Sequence, residues 1–247
     1  MRLRQPLAVT TYPSAERSEQ PPVLLVHGFC SSARRTWLET GLVQALLDAG
    51  HTLLAPDLRG HGASPAPTSA AEVDAVASAQ DLLAVVDAYG ADRFDVLAYS
   101  LGARLVWELA ELAPDRIGRV VLGGLSPTEP FAAVDVPELR RAVHDEAHPP
   151  ADPLTGMIAG LIRAEGARAD GLVTCVEGLR STPFAPKAWA GGTPPWFLVG
   201  ADDLMVHGSE ELVALVPGAQ LVCMAGDHHG VLVNPYFGEV ALRVLHR

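Results

Sequence analysis

Residues 94–114 read FDVLAYSLGARLVWELAELAP, and this stretch decides the fold. Its first part, Phe94 to Tyr99, is short and mostly apolar, as expected of a strand buried on both faces of a sheet. Its second part, Leu101 to Ala113, carries a helical apolar pattern and is stopped by Pro114. Between them stands Ala98-Tyr99-Ser100-Leu101-Gly102. Small residues two before and two after the serine permit a sharp strand-to-helix turn. Such a turn sets Ser100 at its tip, with its oxygen exposed and a helix N-terminus beneath it. The plain alternative is a serine that only caps a helix.

The same alternation runs outward from this centre. Val23 to Val26 is an apolar run ending at His27-Gly28, and Leu53 to Ala55 is a second, ended by Pro56. Residues 37–49 have helical spacing and stop at Gly50; residues 72–89 do the same and stop at Gly90. Val120 to Leu122, Trp196 to Val199 and Leu221 to Met224 read as further strands, and residues 209–216 and 236–246 as helices. This order predicts an α/β domain with a mostly parallel central sheet and helices on both faces. Residues before 13 are expected to add an antiparallel strand at one edge. From 126 to 194 no strand is evident, and prolines such as Pro130, Pro149, Pro150 and Pro183 separate patches of helical pattern. That stretch is expected to form a helical cap inserted into a core made of 1–125 and 195–247, since insertions at strand ends lie where ligands bind.

Composition sets outer limits. The chain has 247 residues, 49% hydrophobic and 19% charged, which suits one large globular domain with a well-buried core. A net charge of -11 repels phosphate backbones and anionic headgroups, so nucleic acid is not an expected partner. Arg34-Arg35 reads as a solvated loop pair. Three cysteines, Cys30, Cys175 and Cys223, form neither a disulfide framework nor a zinc set, and no metal is expected. Residues 1–20 hold no apolar leader run, and no stretch reaches the ~18 apolar residues of a membrane span. A soluble, cytoplasmic protein is expected.

A serine hydroxyl needs a base. Of nine histidines, His228 and His229 sit in a loop just after the last strand, which brings them to the same sheet edge as Ser100. The base in turn needs a carboxylate to fix its tautomer, and Asp202 and Asp203 follow the strand at 196–199. An acid on the preceding crossover would have to be Glu129. The loop His27-Gly28-Phe29 offers the backbone N–H of Phe29 as a partner to that of Leu101, two donors for an oxyanion. His27 and His61 are expected to be structural, and His51, His144 and His148 to be satisfied at the surface. Cys30 is expected to be an ordinary buried thiol.

The segments HGF at 27–29, DLRGHGAS at 57–64, AYSLG at 98–102, GADD at 200–203 and GDHH with NP at 226–235 make the chain resemble the α/β-hydrolase superfamily over nearly its whole length. The order Ser100, acid, histidine is that of this superfamily. The first glycine of its usual elbow is Ala98 here, a mild departure. The resemblance favours Asp203 over Asp202 and His228 over His229. It also makes 57–64 a glycine-rich structural turn, so that Asp57 and Arg59 are not catalytic. It implies a serine hydrolase acting on a small-molecule ester or related acyl compound with no cofactor. Tyr99 and Arg104 are candidate substrate contacts, and the apolar cap residues suit an apolar substrate. Serine at 100 argues against the dehalogenases, which resemble this frame but use aspartate there. The run Tyr99 to Arg104 is also similar to the pyruvate-eliminating lyase of the menaquinone pathway, in which an arginine after the elbow helps bind an anion. A binder without catalysis is a third class, since receptor-like members keep the same residues. Natural substrate and oligomeric state are not legible.

Overall fold

The computed structural model describes residues 4–15 and 20–246. Residues 1–3 and 16–19, part of the segment read as lacking a leader run, lie outside the described residues. In chain order the elements are β1 (Val9–Tyr12), β2 (Val23–Val26), α1 (Leu42–Asp48), β3 (Leu53–Pro56), α2 (Ala75–Tyr89), β4 (Phe94–Tyr99), α3 (Leu101–Leu112), β5 (Ile117–Gly123), α4 (Val136–His144), α5 (Pro153–Arg163), α6 (Ala169–Ser181), β6 (Trp196–Gly200), α7 (Ser209–Ala214), β7 (Gln220–Met224), α8 (Gly230–Val233) and α9 (Pro235–Leu245).

The strands form one sheet in the order β1-β3-β2-β4-β5-β6-β7. All pairings are parallel except β1 against β3, the antiparallel edge expected from the sequence. The order reverses between β2 and β4. At such a switch point the loops leaving the two strands diverge and open a crevice at their carboxyl ends. Here those loops carry His27-Gly28-Phe29 and Ser100.

Strand side chains alternate between two apolar layers. Leu24, Val26, Val96, Ala98 and Leu122 join the layer that contains α2 and α3 residues; Val23, Leu25, Leu97 and Val121 join the layer that contains α1 and α9 residues. Burial on both sides explains why β2 and β3 read as continuous apolar runs and β4 as one interrupted only by Asp95.

The helix expected over 37–49 is split. Residues Arg34–Leu38 form a wide turn closed by Glu39 N–H to Arg34 C=O, and α1 starts only at Leu42. Gly41 between them has φ 83°, and the Thr40 hydroxyl donates to the carbonyls of Thr36 and Trp37, ending the first turn. The apolar spacing ran through this break unchanged, which hid it. Elsewhere helix ends follow their chemistry. Asp74 accepts from Ala77 N–H to start α2, Gly90 at φ 82° ends it, and Asn234 accepts from Tyr236 N–H ahead of Pro235 in α9.

Between 126 and 194 the described residues contain helices and no strand. Aspartates cap α4 and α5: Asp135 accepts from Glu138 N–H and Asp152 from Thr155 N–H. The apolar faces of α4, α5 and α6, with Leu139, Ile158, Ile162, Leu172 and Val176, join the same core layer as α3. No described helix is long and apolar enough to cross a membrane.

Candidate active site

Ser100 stands between β4 and α3 with φ 53° and ψ -118°, a conformation that costs a non-glycine residue about 1–3 kcal/mol. The turn is held by Ser100 N–H donating to Gly123 C=O at 2.8 Å and by Arg104 N–H donating to Ser100 C=O at 3.1 Å. It requires glycine at 102, where a Cβ would lie 2.2 Å from the Val26 carbonyl oxygen. Gly28 faces the serine from the other side at a softer distance: a Cβ there would meet Ser100 Cβ at 3.2 Å. Small residues therefore let the ends of β2 and β4 crowd the serine.

His228 bridges the two groups expected beside it. Its Nε2 is 2.9 Å from Ser100 Oγ and its Nδ1 is 2.6 Å from Asp203 Oδ2. Asp203 is 2% exposed, and its other oxygen accepts from Met205 N–H at 2.9 Å. A buried acceptor at Nδ1 selects the tautomer protonated there, which leaves Nε2 free to accept the serine proton. The loops bearing acid and imidazole are laced together. Ala201 N–H donates to Met224 C=O and Asp202 N–H to Gly226 C=O, while a Cβ on Gly200 would lie 2.2 Å from the Gly226 oxygen. Asp202 is exposed, and no hydrogen bond joins its carboxylate to either histidine among the described residues. His229 lines the cavity but does not reach the serine.

Phe29 and Leu101 both line the cavity with Ser100. Neither backbone N–H donates a hydrogen bond among the described residues, and Leu101 begins a helix, where N–H groups have no intrahelical acceptor. The loop before Phe29 is fixed by His27. Its Nδ1 lies 2.8 Å from Gly28 C=O and its Nε2 accepts from Leu58 N–H at 2.9 Å. Burial pushes the His27 pKa down to about 4, so the ring is neutral and structural. His61 beside it is lowered to about 3, first by burial and then by His27.

Asp57 accepts from Ala33 N–H and Ala63 N–H, and Arg59 grips Asp81, so both tie loops rather than face the cavity. Cys30 lines the cavity with its thiol pushed up to about 12, chiefly by burial, and stays protonated. His144 and His148 pair with Asp170 and Asp145 at the surface.

Two expectations, for Tyr99 and His51, need correction, and Arg104 has partners that the sequence did not show. Tyr99, offered as a substrate contact, does not line the cavity. It is 3% exposed, and its hydroxyl donates to His228 C=O at 2.6 Å, so it holds the histidine loop from behind. Side chains alternate along β4, and Tyr99 falls on the face away from the opening. Arg104 does line the cavity, but its guanidinium is engaged. It donates to Glu108 Oε1 at 2.9 Å and to Thr182 C=O at 3.0 Å, lies 4.6 Å over the Phe184 ring, and has Glu129 Oε2 3.6 Å from its Nε. The helical spacing of Arg104 and Glu108 was the available signal for the first contact. His51, expected at the surface, is fully buried.

The cavity encloses about 360 Å³ and is lined mainly by apolar side chains from the core and from 125–161, among them Leu125, Phe131, Leu154, Ile158 and Leu161. Phe29 packs edge-on against Phe131 at 4.9 Å between centroids, joining the oxyanion loop to the segment above it.

Residues 21–149 match the family model described as alpha/beta hydrolase fold. Epoxide hydrolase A of Mycobacterium tuberculosis is 36% identical over 122 residues, which cover 49% of this chain and 34% of that protein. The chain thus spans about a third of the length of that relative. A Klebsiella pneumoniae protein named as carbamate hydrolase RutD is 28% identical over 233 residues, with 86% of each chain covered. Among solved structures, the enol-lactonase of Burkholderia xenovorans superposes with a TM-score of 0.75 at 22% identity, covering 97% of this chain and 96% of that one.

Proposed function

The chain belongs to the α/β-hydrolase fold family, and from that premise we propose that it is a serine hydrolase that cleaves a carboxylic ester or related acyl bond of a small, largely apolar molecule. The observation that carries this reading is the unbroken chain from Ser100 Oγ through His228 to buried Asp203, opening into an apolar cavity beside two unengaged amides. Two relatives whose names are those of hydrolases support the reaction class.

In the reaction Ser100 Oγ attacks the substrate carbonyl as its proton passes to His228 Nε2. The carbonyl oxygen takes up negative charge and is held by the N–H groups of Phe29 and Leu101. Asp203 stabilises the imidazolium without taking its proton. His228 then protonates the departing alkoxide, which leaves an acyl ester on Ser100. Water enters, loses a proton to the same nitrogen, and releases the acid and the free serine. No step calls for a metal or organic cofactor. Residues 126–194 act as a cap that walls the acyl group from water. The free thiols of Cys30, Cys175 and Cys223 suit a reducing compartment such as the cytoplasm.

Hydrolysis of p-nitrophenyl esters tests the proposal. Wild-type protein should turn over a short-chain ester, and Ser100→Ala should lower kcat at least about 10⁴-fold without loss of fold. Equal turnover by the variant would overturn it.

A further inference from the structure

Besides two histidines and the Cys30 thiol, the described residues that line the cavity include two ionisable side chains, Arg104 and Glu129; burial pushes the Glu129 carboxyl up, and its hydrogen bond from Phe131 N–H and the Arg104 guanidinium beside it oppose that rise. Arg104 and Glu129 are 5% and 7% exposed. Arg104 reaches in from α3, one helical turn beyond Ser100, and Glu129 from the segment that leads away from β5 towards α4. Their ion pair, Nε to Oε2 at 3.6 Å, is too long for a hydrogen bond, and neither of those two atoms has a hydrogen-bond partner among the described residues. Glu129 is held in place by its other oxygen, which accepts from Phe131 N–H at 3.3 Å. Arg104 is fixed by Glu108, by the Thr182 carbonyl and by the face of Phe184.

The charges do not balance towards the cation. One guanidinium faces two carboxylates, Glu108 and Glu129, so the far wall of the cavity presents no free positive charge. A substrate ending in a carboxylate would bring a third carboxylate to an arginine already flanked by two, with both its terminal nitrogens hydrogen-bonded. It would also leave water to do so, in an otherwise apolar enclosure where like charges repel strongly. An uncharged acyl chain meets neither cost.

We infer that Glu129 is a specificity-determining residue: by occupying Arg104 it makes the pocket accept uncharged acyl groups and reject those that end in a carboxylate. The discrimination is built from a repulsive element rather than from an added attraction. It rests on the serine hydrolase reading and names the substrate class for it. It also separates this chain from an anion-binding lyase, in which the arginine after the elbow would have to be free.

The test uses matched pairs: p-nitrophenyl pentanoate against mono-p-nitrophenyl glutarate, and p-nitrophenyl hexanoate against mono-p-nitrophenyl adipate. Wild-type kcat/KM should favour the neutral member at least about tenfold. Glu129→Gln keeps the shape but frees Arg104, and should shift that ratio at least about tenfold towards the anionic member. Adding Arg104→Gln should abolish the shift, which a merely structural role for Glu129 would not explain. A wild-type ratio near one, or a ratio unmoved by Glu129→Gln, would overturn the inference. If Glu129→Gln does not fold, Glu129→Met is read in its place, with the same shift of the ratio expected and an unmoved ratio overturning the inference. Calorimetric binding of hexanamide against adipamate reads the same preference without turnover. Absence of all ester cleavage would therefore count against the hydrolase reading, and loss of the binding preference against the role of Glu129.

Discussion

Ser100 works from a backbone conformation that its own side chain disfavours. With φ 53° the position is one that glycine occupies at little cost. Ser100→Gly should therefore be more thermostable than Ser100→Ala by about 1 kcal/mol, although both should be inactive. Equal melting temperatures would show that the turn stores no strain. Asp203→Asn should keep the fold yet lower kcat by about 10³–10⁴-fold, because an amide at that place can donate to Nδ1 and select the wrong tautomer. Steady-state kinetics beside a melting curve checks both statements. At this scale the sequence was informative wherever a residue type is demanded by local geometry. The Ser100 turn was legible from Ala98 and Gly102, whereas the loops narrowed the other two places only to His228 or His229 and Asp202 or Asp203, and the family resemblance chose between them. Tyr99 was misread because its hydroxyl reaches across 129 residues of chain to the His228 carbonyl, and adjacency to the serine says nothing about which face a strand residue occupies.

Elements meet at the serine with little room to spare. Gly102 lets α3 start against the carbonyl end of β2, and a Cβ there would overlap the Val26 oxygen at 2.2 Å. Gly28 faces Ser100 at the softer distance of 3.2 Å. The two glycine-to-alanine changes should therefore differ in kind. Gly102→Ala should cost about 3 kcal/mol or more and fail to give stable protein. Gly28→Ala should melt within a few degrees of wild type yet lose most of its kcat, since the serine is what must move. Similar melting temperatures for the two would contradict this assignment of close contacts. The alternation of strands and helices was legible because apolar period and terminator residues agree over most of the chain. The division of 37–49 was not, because Gly41 interrupts the backbone without interrupting the apolar spacing. The order in which helices of 126–194 pack was likewise hidden, since it depends on partners in α3 that are distant in sequence.

At the scale of the whole molecule, the helices of 126–194 bury their apolar faces in the same layer as α2 and α3 of the core. Unfolding should therefore be a single transition. Denaturant curves followed by tryptophan fluorescence, which reports on Trp37 in one layer and Trp107 in the other, should coincide with those from circular dichroism. Two separated transitions would mean that 126–194 folds apart from the core. Acid should weaken the whole fold early. His27 and His61 are buried and neutral, with pKa values lowered from 6.5 to about 4 and about 3. Below about pH 6.5 the unfolded chain takes up protons that the native state refuses, so stability is full above that pH and falls as pH drops towards 4. Each histidine should contribute about 1.4 kcal/mol per pH unit within its window. Melting temperature against pH, compared with His61→Gln, checks the sign and the slope. Composition anticipated a large buried core, but only the assembled structure places these two imidazoles fully inside it.

The most direct test of an activated serine is reaction with a fluorophosphonate probe, read by intact mass and peptide mapping. A single adduct on Ser100, absent from His228→Ala, is expected if His228 takes the Ser100 proton and the cavity admits a small electrophile. Labelling at another residue, or no adduct in protein that is folded and open to small molecules, would contradict Ser100 as the nucleophile.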